Sequence, residues 1–161
     1  MLDGRPLLSY AVEAVAALSP RAVVLGHAAD EILARVDLRG ARPVVCEGWR
    51  EGQAASLRCG LAALGAAEEV LVVLGDQPGI TGAAVAAIAG AGGDADAVRA
   101  TYAGVPGHPV LLRRPLLARA SELRGDTGFR ALLERARVLQ VEIGHLADPA
   151  DIDTREELAR R

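Results

Sequence analysis

The sequence predicts one α/β domain with a mainly parallel sheet, spanning residues 1–161. Three observations lead there. Short Val-rich runs alternate along the chain with Ala- and Leu-rich stretches of helical periodicity. Residues 70–74 are mostly apolar without a break, the pattern of a central parallel strand covered on both faces. The aromatic residues are Tyr10, Trp49, Tyr102 and Phe129, so the core must be built from Ala, Val, Leu and Ile, which suits helices layered on a sheet.

Each element follows from its local pattern. Residues 6–18 read as a helix, with Leu7, Leu8, Ala11, Val12 and Val15 on one face and Pro6 near its first turn. A strand over 21–25, a short helix over 30–36, a strand over 42–45 and a full helix over 53–64 come next. After the 70–74 strand, residues 80–91 form an Ala-rich helix and 97–102 a strand. Residues 104–109 look like a turn into a strand over 108–112. Helices over 115–123 and 127–135, a strand over 138–143 and a closing helix over 154–160 complete the pattern. Thr154-x-x-Glu157 has the spacing of a capping box. The chain begins almost directly with a helix, whereas a doubly wound domain opens with a central strand whose carboxyl end carries the ligand loop.

Composition removes several classes of function. The formal charge is −3, from 18 basic and 21 acidic residues, and every basic residue is Arg. Phosphate contacts must therefore come from guanidinium forks or backbone N–H groups, and no lysine can act as a nucleophile. A mildly acidic chain with scattered Arg argues against a nucleic-acid surface. No apolar run is long enough to span a bilayer and no signal peptide is visible, so the expectation is a cytoplasmic protein without membrane contact. Cys46 and Cys59, thirteen positions apart without a C-x-x-C pair, are expected to be buried thiols rather than a disulfide or a zinc site.

Several local strings can carry chemistry. Gly75-Asp76-Gln77-Pro78 follows directly on an apolar strand, where open α/β sheets bind ligands. A carboxylate there can hold Mg²⁺, which needs one or two protein oxygens beside substrate phosphates, although the same string also makes an ordinary turn. Gly52 before the 53–64 helix, with Ser56 and Arg58 on it, offers free N–H groups and polar contacts to a base or phosphate, or else a backbone kink and a solvated face. His108, beside Gly107 and Pro109, is either a substrate wall or structural. Asp126 in Gly125-Asp126-Thr127-Gly128 reads first as a helix cap whose free N–H groups would also suit a phosphate. Asp151 and Asp153 share one side if extended, and either may cap the last helix.

Taken in order, Leu2-Asp-Gly-Arg-Pro-Leu-Leu, Glu51-Gly-x-x-x-Ser-Leu-Arg, Leu74-Gly-Asp-Gln-Pro, Gly107-His-Pro-Val, Gly125-Asp-x-Gly and Asp151-Ile-Asp-Thr resemble the molybdenum cofactor cytidylyltransferase group of the MobA-like nucleotidyltransferases. The resemblance covers essentially the whole chain. It implies a three-layer, Rossmann-like nucleotide-binding fold of glycosyltransferase-A type. It implies transfer of CMP from CTP onto the phosphate of molybdopterin, with Mg²⁺ required and pyrophosphate leaving, and transient contact with a molybdoenzyme or its chaperone. Asp76 is then the catalytic metal ligand. Gly52, Ser56, Leu57, Gln77 and Pro78 would lie by the nucleotide, and Gly107, His108, Asp126, Asp151 and Asp153 by the acceptor.

The family's first central strand and its L-A-A-G loop are not in this sequence. A start set too far downstream, a truncation or a genuine short homologue would each account for that, and the chain as written is expected to turn over little by itself. A non-catalytic molybdopterin-binding or accessory remnant, and a nucleotidyltransferase for another small phosphorylated acceptor, are the alternatives.

Overall fold

The computed structural model describes residues 1–152 together with 154, 157 and 158. Helix α1 (Leu7–Ala14) starts after Pro6, whose φ of −59° is already helical. It buries Ala11, Val12 and Ala14, and ends four residues earlier than the periodicity suggests. Beyond it the chain makes short turns, Ala16 N–H to Glu13 O and Leu18 N–H to Val15 O, while Val15 and Leu18 still pack on the core. Strand β1 (Ala22–Leu25), the short helix α2 (Ala29–Leu33) and β2 (Arg42–Val45) form a parallel βαβ unit. A 3-10 turn over Glu47–Glu51 leads into α3 (Gln53–Leu64), then β3 (Glu69–Val72).

The second half contains α4 (Gly82–Ala89), β4 (Ala97–Tyr102), β5 (Val105–Arg113), α5 (Arg114–Leu117), α6 (Arg130–Leu133) and β6 (Val138–Glu142). Thr81 caps α4: its Oγ1 accepts from Ala84 N–H at 3.1 Å and donates to Leu146 O at 2.8 Å. Four strands form one sheet in the order β3-β5-β4-β6, separate from the β1-β2 pair.

That sheet is mixed rather than mainly parallel. Strand β5 runs antiparallel to both β3 and β4, and only β4 and β6 are parallel within it. The cause is the link between β4 and β5. Tyr102 pairs with Val105 across a two-residue loop, Ala103-Gly104, with φ of +50° and +81°. Two positive φ angles give a hairpin turn, whereas parallel neighbours need a crossover of about a dozen residues. Strand β3, expected at the sheet's centre, is an edge strand of the sheet among the described residues, as β6 is at the other side.

Alternation along the strands divides the core. Val98, Ala100 and Leu111 face one cluster with Ile80, Val85 and Ile88, under α4 and α1. Ala97, Val110 and Leu112 face the other with Ala54, Leu116, Phe129 and Leu132, under α3, α5 and α6. Helices on both faces of the sheet make the three layers. Helix α3 ties the two sheets together. A Cβ on Gly60 would lie 2.9 Å from Val24 Cγ2 of β1, while Ala54, Leu57 and Leu61 pack on the larger sheet.

Cys46 and Cys59 are joined as a disulfide, with 6.0 Å between their Cα atoms, which corrects the expectation of free thiols. The bridge fastens the end of β2 to the middle of α3 and encloses the turn between them. The capping box is present, with Thr154 N–H donating to Glu157 Oε2 at 3.0 Å and Glu157 N–H to Thr154 Oγ1 at 3.1 Å. No helix among the described residues is long and apolar enough to cross a membrane.

Candidate active site

The register of β3 and β5 decides where the candidate residues meet. Val72 pairs with Val110, so the carboxyl end of β3 and the beginning of β5 share one end of the sheet. Asp76 and Gln77, just past β3, are thereby placed at the same end as Gly107 and His108.

The turn carrying Asp76 is clasped by residues 148–152. Ile152 N–H donates to Asp76 O at 2.9 Å and Asp148 N–H to Gly79 O at 3.2 Å. Gln77 Nε2 donates to Pro149 O at 3.0 Å and to Asp151 Oδ1 at 2.7 Å. The approach is close enough that a Cβ on Gly79 would sit 2.5 Å from Asp148 O. Gln77 is buried at 5% exposure, and its Oε1 has no partner among the described residues. Asp76 is half-buried with Oδ1 out of contact with solvent, and Pro78 continues the turn half-buried. The clasp joins residues 74 positions apart and holds Asp151 against the turn that carries Asp76.

A second junction brings the start of α3 against the segment before α6. Gly52 has φ +106°, and a Cβ there would lie 2.5 Å from Asp126 Oδ1 and 2.6 Å from Gly125 C. Gly128 meets Gln53 Oε1 in the same way. Helix α3 starts from Gly52 without a side-chain cap, beside Asp126, and its Ala55 N–H donates to Gly52 O at 3.1 Å. Ser56 is half-buried on the first turn, and Leu57 packs into the second core cluster.

His108 connects the two junctions. Its ring meets Phe129 at 5.8 Å between centroids, and Tyr102 Oη donates to its carbonyl at 2.5 Å. Burial pushes the imidazole down to about 4; the Arg99 guanidinium adds to the shift and Asp151 opposes it. His108 is therefore neutral at pH 7. Burial likewise raises the Tyr102 phenol to about 12, helped by Asp148 and Glu142, so it remains a donor. Asp76, Gln77 and Asp151 come together at the end of the sheet that holds Gly107 and His108, and Gly52 meets Asp126 at the second junction. Asp153 lies outside the described residues.

The residues present suit one kind of metal ion. Among the described residues no group of three or more His, Cys, Asp or Glu side chains is gathered as a ligand cage. Asp76 and Asp151 flanking one turn match a hard divalent cation that takes one or two carboxylates and completes its shell with phosphate oxygens and water. Sequence reading passed over Arg99. Its signal was a charge in the interior of Ala97-Val-Arg-Ala-Thr-Tyr102, where every other position is buried. Arg99 Nε donates to Gly107 O at 3.4 Å.

Residues 1–141 match the MobA-like NTP transferase domain family. The chain is 31% identical to nicotine blue oxidoreductase of Paenarthrobacter nicotinovorans over 98% of its own length and 83% of that protein's. Among solved structures it is similar to a homologue, from Mycobacterium sp. strain JC1, of the Mycobacterium tuberculosis protein Rv0371c, at 32% identity and TM-score 0.81, covering 99% of this chain and 83% of that one. Rv0371c itself, in complex with manganese, matches at 29% identity and TM-score 0.79, covering 95% and 82%. The fold, the site's position at one end of the sheet and these likenesses agree: the chain is a nucleotidyltransferase that belongs to the MobA-like NTP transferase domain family.

Proposed function

We propose that this chain serves transfer of CMP from CTP onto the phosphate of molybdopterin, with a divalent ion, Mg²⁺, held at Asp76. The observation that carries the reading is the clasp: the Gln77 amide bridges the turn holding Asp76 to Asp151, at the end of the sheet where His108 stands. The order of the sequence strings supports the cytidylyl donor and the pterin acceptor, and the manganese complex of Rv0371c supports a divalent ion.

In-line displacement at a phosphorus asks the protein to position two oxyanions and to balance charge. The ion would supply positive charge to the donor phosphates. The protein's own groups do the rest. Asp151 is aimed by the Gln77 amide, and Asp76 is placed by the turn that the Ile152 N–H bond to its carbonyl holds. The uncapped start of α3 faces the donor, and the neutral His108 ring stands beside the acceptor without adding charge.

Titration calorimetry of the chain with CTP and GTP, each with and without Mg²⁺, tests this. The expected result is Mg²⁺-dependent CTP binding that weakens at least tenfold in Asp76→Asn, in line with loss of a charge-assisted contact. CTP binding indifferent to both metal and Asp76 would overturn it. The name of the Paenarthrobacter relative favours a second reading, an oxidoreductase using the same cleft. Metal-dependent binding of a nucleoside triphosphate, which has no part in that redox reaction and needs no turnover, separates the two.

A further inference from the structure

Beside the His108 wall lies a cleft of about 530 Å³, bordered by Arg99, Pro106, Arg130, Leu133, Glu134 and Gln140. Its floor is the face of β4, β5 and β6 that carries Arg99, and its rim is α6 with the turn that follows. Two guanidinium groups face this one space. Among the described residues neither forms an ion pair, although ion pairs hold Arg5, Arg39, Arg58, Arg113, Arg114, Arg119 and Arg137. Arg99 is half-buried, fixed through Nε to Gly107 O, so its terminal nitrogens are held in place rather than free to leave for solvent. Partial burial, and after it the neighbouring Arg130 charge, lowers the Arg99 pKa from its ordinary value. Two like charges facing one cleft repel, and an oxyanion between them relieves that repulsion.

We propose that Arg99 and Arg130 form a seat for a phosphate monoester, the anionic end of the acceptor substrate. The assignment to the acceptor rests on the nucleotidyltransferase reading, while the seat's preference for a phosphate group does not. Two features favour this ligand. Arg99 is bonded to Gly107 and Arg130 directly follows Phe129, whose ring meets His108, so the seat opens beside the acceptor wall rather than on a remote face. Planar forks approaching from β4 and from α6 suit an ion with three terminal oxygens. Glu134, on the same rim, opposes any anion and limits the affinity.

The test is calorimetric titration with inorganic phosphate and with phenyl phosphate, a simple monoester, at low ionic strength. Phenyl phosphate should bind at least as tightly as inorganic phosphate. Arg99→Gln and Arg130→Gln should each weaken it roughly tenfold, the size of one charge-assisted contact. Arg99→Lys should recover part of the loss, and Glu134→Gln should tighten binding severalfold, a gain that a misfolded protein would not give. Thermal melts confirm that each variant folds. Unchanged affinity in both Arg variants, or inorganic phosphate bound while the monoester is rejected, would overturn the proposal. Phosphate binding that depends on Arg99 in a protein that fails to bind CTP would sink the cytidylyl reading and leave the seat standing.

Discussion

Acidification should destabilise this protein well before its carboxylates titrate, through His108. Its imidazole is lowered to about 4, first by burial, then by the Arg99 charge, with Asp151 pulling the other way. The unfolded chain takes up a proton near pH 6.5 that the folded chain refuses until about 4. Between those values the unfolded state binds more protons, so stability rises with pH and falls as pH is lowered through that window. Integrating the difference from pH 7.5 to pH 5 gives a loss of about 2 kcal/mol. Urea unfolding at both pH values, on the wild type and on His108→Asn, isolates the contribution. The wild type should lose about 2 kcal/mol more than the variant, because the carboxylates common to both cancel. Equal losses would show that the ring is solvated and that its burial against Phe129 is not maintained in solution.

Gly52→Ala should cost about 2–4 kcal/mol, since it adds a Cβ 2.6 Å from Gly125 C at φ +106°, whereas Gly65→Ala, at φ +66° with nothing within 4 Å, should cost about 1. Comparing their denaturation midpoints separates packing from backbone strain, and equal midpoints would dissolve the Gly52–Asp126 junction. Glu142 accepts from Ala103, Gly104 and Gly144 N–H and from the Thr101 hydroxyl, and the backbone donors, Gly104 first, hold its carboxyl below the usual range. Its contribution is present above the ordinary carboxylate pKa and lost as pH falls through the lowered one, so Glu142→Gln should flatten the acid limb of a stability profile. Reduction of the Cys46–Cys59 bridge, or Cys46→Ser, should lower stability by about 3 kcal/mol in melts with and without reductant, the entropy of closing a loop of this length. Gln77→Glu sets a second carboxylate against Asp151 and makes the folded state easier to protonate there, so the variant should lose less stability on mild acidification than the wild type in paired urea melts.

Much of the framework was legible because local periodicity fixes it. Residues 53–64 and 97–102 read as a helix and a strand, and α3 and β4 have those bounds. The strand order was not legible. The hairpin that turns β5 back onto β4 is made by Ala103-Gly104, without the Asn or Asp that normally advertises such a turn, and Pro106 and Pro109 made the segment look like a loop. The disulfide was missed for a similar reason. A spacing of thirteen says nothing until the chain is seen to leave β2, turn once and return along α3. Within the candidate site, Asp76 and His108 were singled out from their neighbours in sequence. The Gln77–Asp151 bond and the Arg99–Arg130 pair depend on contacts between distant segments, and no local pattern carries those.

Charge at this end of the sheet is divided by position. Asp76 stands on the turn after β3 with Asp151 held to that turn by the Gln77 amide, and Arg99 and Arg130 border the cleft on the β4–β6 side. His108 lies between the two sets and feels both, since Arg99 lowers its pKa and Asp151 raises it. Were the ring protonated at pH 7, a third positive charge would join the arginines and draw an anion away from the acidic side. Burial against Phe129 prevents this, so a neutral imidazole stands between the half proposed to take the cation and the half proposed to take the anion. That separation is what a transfer between two oxyanions requires: one anion is offered to an ion, the other to fixed guanidinium groups, and neither set of protein charges neutralises the other.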